Sequence, residues 1–194
     1  MQALECDVLV IGSGAAGLAA AVTAAHHGLR VIVADKASQL GGTSAWSGGW
    51  LWVPRNPLAI AAGLVEPEAD PQRYLCAQTH RATLDPRQQA FLQHGPQMVA
   101  FFQQHTAVRF QSGNHVPDMH EGPGSAAGGR SLCALPYDGR LLGPWLPTLL
   151  PPLFILRPAS LCTAVGFDLP SLFTPSCPLP SPSPSVPTSP TKVK

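Results

Sequence analysis

The residues best suited to chemistry lie in the first fifty positions. Gly12, Gly14 and Gly17 are spaced as Gly-x-Gly-x-x-Gly directly after an apolar run, Val8 to Ile11. An alanine-rich stretch with helical patterning continues to Gly28, and a second apolar run, Val31 to Ala34, ends at Asp35. In a β-α-β unit of this kind, Gly12 permits the tight turn out of the first strand. Gly14 lets the backbone approach a pyrophosphate, and Gly17 lets helix and strand pack closely. The helix start aims N–H groups and the positive end of its dipole at the phosphates. Asp35 is placed to accept from ribose hydroxyls. The rival reading is a merely structural glycine turn. An acid at this distance, between two strand patterns, favours a bound adenine dinucleotide.

The segment after Asp35 bears on which dinucleotide. Nicotinamide-binding units normally proceed from the acid into another helix and strand. Here Lys36 leads instead into a loop of small and hydroxyl-bearing residues: Gly41, Gly42, Thr43 and Ser44, then Ser47, Gly48 and Gly49. Residues without bulk let backbone amides lie against a flat ring system, and hydroxyls add hydrogen bonds at its edge. A flavin needs both. The bland alternative is a flexible surface connection.

On these residues the chain resembles the fumarate reductase/succinate dehydrogenase flavoprotein superfamily, and within it the 3-oxosteroid 1-dehydrogenase-like oxidoreductases. The run Gly41 to Pro54 (GGTSAWSGGWLWVP) carries the resemblance, as do Val116-Pro117-Asp118 and Gly128-Gly129-Arg130-Ser131. It spans about residues 4 to 143. It implies an extended FAD, with Gly12, Ser13, Gly14, Ala15 and Ala16 at the pyrophosphate and Asp35 with Lys36 at the adenosine ribose. It also implies that Gly41 to Ser44 and Ser47 to Gly49 pass beside the flavin ring. The implied chemistry is hydride transfer between the flavin and a carbon next to an activated C–C bond, on a small-molecule, steroid-like or dicarboxylate substrate. In the steroid enzymes a tyrosine follows the Pro-Asp pair; here Met119 and His120 do. Methionine moves no proton, so that role does not carry over, and the catalytic residues stay unassigned. His120 has a side chain that titrates near neutral pH, but it reads more simply as a loop histidine.

The fold expected is therefore α/β: a partial Rossmann-type FAD-binding domain, β-α-β plus helices, over residues 1–143. Asp70-Pro71 and Asp85-Pro86 read as helix starts, the first helix running to about Thr79. Gly95-Pro96 is expected to interrupt the second helix, whose apolar side (Phe91, Leu92, then Met98, Val99, Phe101 and Phe102) continues to about His105. Val108 to Gln111 reads as a short strand. Trp46 and Trp50 have two possible places, near the flavin or against the two-stranded core.

From Pro144 the character changes. More than half of the 22 prolines lie in residues 144–194, ending in a Pro/Ser alternation. Prolines at that density exclude helix interiors and central strands, so this part reads as a Pro-rich, low-complexity, disordered tail. Loss of charge and of family motifs together favours a truncated or frameshifted gene over a selected tail. The family's substrate-shaping and catalytic parts would then be missing. The alternative is a non-catalytic product whose Pro-rich tail binds an aromatic groove, but the lysines offered as basic anchors, Lys192 and Lys194, lie beyond the last proline.

Composition excludes more than it includes. A net charge of +1 with 12% charged residues gives no basic footprint, which argues against a nucleic-acid partner. The apolar run Leu141 to Leu156 is shorter than the ~20 residues a membrane span needs and is broken by prolines. Five cysteines without zinc or redox spacing suit a reducing cytoplasm, and the seven histidines lack metal-ligand spacing, so no metal is expected. Nothing in the sequence signals an oligomeric state.

Overall fold

The computed structural model describes residues 4–151 and the short strand Leu161–Cys162. The chain divides into two units, one built on residues up to Ser47 together with the segment from Asp138, the other on Gly48–Tyr137.

The first unit is the β-α-β motif. Strand β1 (Val8–Ile11) pairs in parallel with β2 (Val31–Ala34), Val8 opposite Val31 and Ile11 opposite Ala34. Helix α1 (Ala15–His26) connects them. Alanine dominates α1 because it gives the highest helix propensity and lets the helix lie close to the strands. The helix ends at His26-His27, and Gly28 comes next at φ +82°. In β1 the side chains alternate: Val10 is buried, whereas Leu9 is 57% and Ile11 76% exposed. A two-stranded parallel sheet covered on one face leaves the other open.

The same unit recovers the segment after residue 138. A 3-10 helix, Gly139–Thr148, is opened by Asp138, whose carboxylate accepts from the Arg140 N–H at 3.0 Å. Beyond it the backbone returns to Leu40, whose N–H donates to Thr148 O at 2.8 Å and whose carbonyl accepts from Leu150 N at 2.7 Å. The boundary expected at 143/144 falls inside this element. The rest of the expected tail lies outside the described residues, apart from the backbone pairing of Leu161–Cys162 with Tyr137–Asp138.

The second unit packs helices on a three-stranded antiparallel sheet, ordered β3 (Trp50–Trp52), β5 (Ser131–Ala134), β4 (Phe110–Gly113). Its core is Val53, Val99, Phe110 and Leu132, with Leu51, Leu58, Met98 and Phe102 against it. Helix α2 (Pro57–Ala61) is capped by Asn56, whose side chain accepts from Ala59 N. Helix α3 (Ala69–Thr79) starts slightly earlier than the sequence suggests. Glu68 is the cap residue, while Asp70 and Pro71 sit in the first turn. Helix α4 (Pro86–His105) has the expected start, with Asp85 and Gln88 forming a reciprocal capping box.

Two expectations for α4 are corrected. The helix is not interrupted at Gly95-Pro96 but runs through it. An interior proline forfeits one hydrogen bond and costs about 3 kcal/mol, yet Leu92, Gly95 and Val99 on the same side are buried, and that burial offsets the loss. Gly95 fits because a Cβ there would come within 3.1 Å of Val53. Phe91, expected on the buried side, is exposed and stacks on Trp52 with ring centroids 6.3 Å apart. The strand expected at 108–111 is displaced two residues, to Phe110–Gly113, because Phe110 supplies the core side chain.

Candidate nucleotide site

Within the first unit three chain segments converge: the glycine turn after β1, the acid after β2, and the Gly/Ser loop. Gly12 sits at φ +100°, a conformation other residues resist, and its N–H donates to Ala34 O at 2.7 Å. Gly17 is obligatory for packing: a Cβ there would stand 2.0 Å from the Gly12 carbonyl oxygen. The turn therefore closes by backbone contact, and α1 begins at Ala15 with Gly14 as an N-cap that offers no side chain. Its first-turn amides have no intrahelical partner.

Asp35 is the hub. Its Oδ2 accepts from the Ser13 N–H at 2.7 Å and from the Ser13 hydroxyl at 2.5 Å, and its Oδ1 from the Ala37 N–H at 2.9 Å. The Ser13 hydroxyl, then the Ala37 and Ser13 amides, with Lys36 nearby, hold the carboxyl below its ordinary value. Ser13 is fully buried, and its Oγ also accepts from Gly41 N at 3.0 Å. Gly41 and Gly42 take positive φ and enter a 3-10 turn, Gly42–Trp46. That turn places Ser44 Oγ 3.0 Å from the Ala15 N–H, which donates to it. A Cβ on Gly14 would meet Ser44 Oγ at 3.5 Å and the Gly41 carbonyl at 3.9 Å, so glycine keeps this cleft open.

The structure thus brings together Gly12, Ser13, Gly14, Ala15, Asp35, Gly41, Gly42 and Ser44 of the residues expected from sequence. Ala16 comes next on α1, Lys36 projects into solvent beside Asp35, and Thr43 and Ser47 are exposed on the loop. Gly48 and Gly49 open the second unit, where the Gly49 carbonyl accepts from Ala134 N at 3.3 Å. Trp50 belongs to the antiparallel sheet opposite Cys133, not to the two-stranded one, and Trp46 is exposed.

The second unit holds a cluster that sequence reading missed as a cluster. Arg130, 2% exposed, bonds Glu66 Oε2 through Nε at 2.8 Å and Asp118 Oδ2 through Nη1 at 2.6 Å. Asp118 also accepts from Trp52 Nε1 at 2.7 Å and from Ala126 N at 2.9 Å. The guanidinium lies 5.8 Å from the Trp52 ring and 5.7 Å from the Tyr74 ring. Asp118 and Arg130 were visible as words of two motifs, and their opposite charges were the available signal for pairing. Glu66 stood in no motif, and Trp52, within the Gly41 to Pro54 run, gave no sign of its bond to Asp118. The cluster pins the 114–130 loop, leaving Met119 at its tip 92% exposed. A separate cavity of about 580 Å³ between α3 and α4 has Gln72, Gln89 and Leu92 in its walls, and Arg55 there already pairs with Glu68 at 3.5 Å.

Among the described residues no group of His, Cys, Asp and Glu could hold a metal, and no helix is long and apolar enough to cross a membrane. The glycine cradle, the open helix end and the acid between them fit an extended dinucleotide. Residues 7–171 match the family model described as the FAD binding domain. The chain is 43% identical over 144 residues to a 4-oxocyclohex-2-ene-1-carboxylate 5-dehydrogenase of Sinomonas cyclohexanicum, covering 73% of this chain and 24% of that one. It is 37% identical over 153 residues to a 3-oxosteroid 1-dehydrogenase of Mycolicibacterium smegmatis, covering 78% and 27%. Among solved structures, a 3-ketosteroid delta1-dehydrogenase from Sterolibacterium denitrificans, in complex with 1,4-androstadiene-3,17-dione, superposes with a TM-score of 0.70 at 33% identity. That match covers 76% of this chain and 26% of the other. The chain spans about a quarter of the length of these relatives.

Proposed function

The chain belongs to the FAD binding domain family, and from that premise we propose that it is the FAD-holding portion of an oxidoreductase that dehydrogenates or reduces a C–C bond next to a carbonyl. The relatives it matches act on cyclic oxo compounds, a ring carboxylate and steroids, and the same substrate class is proposed here. FAD, when bound, supplies the acceptor or donor of hydride. This chain's residues bind and orient it. The amides of Gly14 and Ala16 at the start of α1 face the pyrophosphate, where helix-end N–H groups and the dipole favour negative charge, while the Ala15 N–H holds Ser44. Asp35 keeps acceptor lone pairs for a ribose hydroxyl beyond the three bonds it already receives, and Lys36 lies alongside. Gly41, Gly42, Thr43, Ser44 and Ser47 form the wall toward the flavin, continued in sequence by Gly48 and Gly49.

The observation that carries this reading is the convergence on Ser13: one buried residue ties the phosphate turn, the ribose acid and the Gly/Ser loop into one cradle. Among the described residues the sheet beneath is two strands wide, with Leu9 and Ile11 uncovered, so the isolated chain is expected to bind FAD weakly and to turn over no substrate. Purified chain is titrated with FAD and followed by flavin fluorescence and the visible spectrum, then assayed with a dye acceptor and a 3-oxosteroid. Saturable quenching without dye reduction is expected. No FAD binding at millimolar concentration refutes the cofactor assignment, and steady dye reduction refutes the claim of inactivity.

A further inference from the structure

We infer that Ser13 is a positioning residue and not a phosphate contact: its hydroxyl couples Asp35 to the Gly41 amide and so sets the cradle for the dinucleotide. This rests on the FAD reading of the same site. A serine has one O–H and one backbone N–H to donate. Both are spent on Asp35 Oδ2, at 2.5 and 2.7 Å. The remaining lone-pair capacity of Oγ takes the Gly41 N–H at 3.0 Å. An incoming phosphate oxygen is an acceptor and needs a donor, and Ser13 has none left. The side chain is moreover fully buried, away from any ligand in the open cleft.

The phosphate donors must then be the Gly14 and Ala16 amides at the start of α1, since the Ala15 N–H already donates to Ser44 Oγ, and Ser13 acts on affinity only through what it holds. On one side it holds the ribose acid. On the other it holds Gly41, whose φ of +125° aims the following turn at Gly14 and Ala15. The groups acting on Asp35 are the Ser13 hydroxyl and amide from the turn after β1, the Ala37 amide, and the charge of Lys36. Removing the hydroxyl takes away the largest influence keeping that carboxyl ionised.

The test uses Ser13→Ala and Ser13→Gly, each in the native background and with Asp35→Asn. Two readouts are taken: the Asp35 carboxyl titration by ¹³C NMR in ligand-free protein, and FAD affinity by fluorescence quenching. Loss of the hydroxyl is expected to move the Asp35 titration upward in both variants. FAD affinity should fall about tenfold in the native background and less than twofold when Asp35 is already Asn, the signature of action through that residue. Ser13→Thr, which keeps a hydroxyl, should titrate like the native chain. Equal losses in both backgrounds would show that the hydroxyl does not act through Asp35, and an unmoved Asp35 titration would likewise overturn the inference. If the native chain takes up no FAD, the functional reading falls, while the ligand-free titration still decides the role of Ser13.

Discussion

Gly17 and Gly28 belong to the same helix and its exit, and they face different physics. At Gly17 an added methyl group would overlap the Gly12 carbonyl oxygen, and backbone cannot give way as a side chain can. Gly17→Ala should cost at least ~2 kcal/mol by overpacking and abolish FAD quenching. At Gly28 nothing lies within 4 Å, and only φ +82° opposes a side chain; Gly28→Ala should cost about 1 kcal/mol. Thermal unfolding of the two variants separates close approach from backbone preference. Asp35 adds a pH dependence with a defined sign. Its folded pKa is depressed, first by the Ser13 hydroxyl, from a value of 3.8. Its contribution is therefore present above pH 3.8 and lost as pH falls through the lower folded value. Unfolding curves between about pH 5 and pH 2.5 should show the native chain losing stability below about pH 4, with Asp35→Asn flatter there.

At the scale of elements, the capping box at the start of α4 and the buried ion cluster over β3 are separable supports. Asp85→Ala removes the acceptor for the Arg87 and Gln88 amides and should cost about 1 kcal/mol. Arg130→Met leaves Asp118 buried without its cation. Breaking such a pair from one side costs about 3–5 kcal/mol, enough to loosen the 114–130 loop. Amide exchange at Ala126, which bonds Asp118, should rise before the core strands open. Unchanged protection there would show that the loop is held by its backbone alone. Elements also explain what the sequence could reveal. The β-α-β unit was legible because its signals are contiguous: glycine spacing, an alanine-rich helix and two apolar runs ending in an acid. The antiparallel sheet was not, because β3 and β5 are three- and four-residue strands meeting from distant parts of the chain. Val108 to Gln111 pointed to one strand two residues early, since local apolar residues do not tell which one will be taken into the core. Of the site, the motif residues were readable, but not the division of labour among them. That depends on hydrogen bonds between segments more than twenty residues apart.

For the molecule as a whole, the exposed apolar side of β1 sets the solution behaviour. Leu9 and Ile11 present a surface that parallel sheets ordinarily bury. Purified chain should bind a hydrophobic dye and sediment as a concentration-dependent mixture. Leu9→Thr with Ile11→Thr should lower dye fluorescence at least twofold while β1 stays paired with β2, since only side chains on the open face change. A single, dye-silent species in the native chain would show that the face is covered in solution.

The return of the backbone from Thr148 to Leu40 bears on where this protein can be cut. A version ended after Gly143 would keep every recognisable motif yet strip both polar groups of Leu40 of their partners. Leu40 immediately precedes the glycine pair that hangs from Ser13, so such trimming would slacken the nucleotide cradle from behind. The shortest piece worth making therefore reaches Leu150, into residues whose composition alone would have marked them as dispensable.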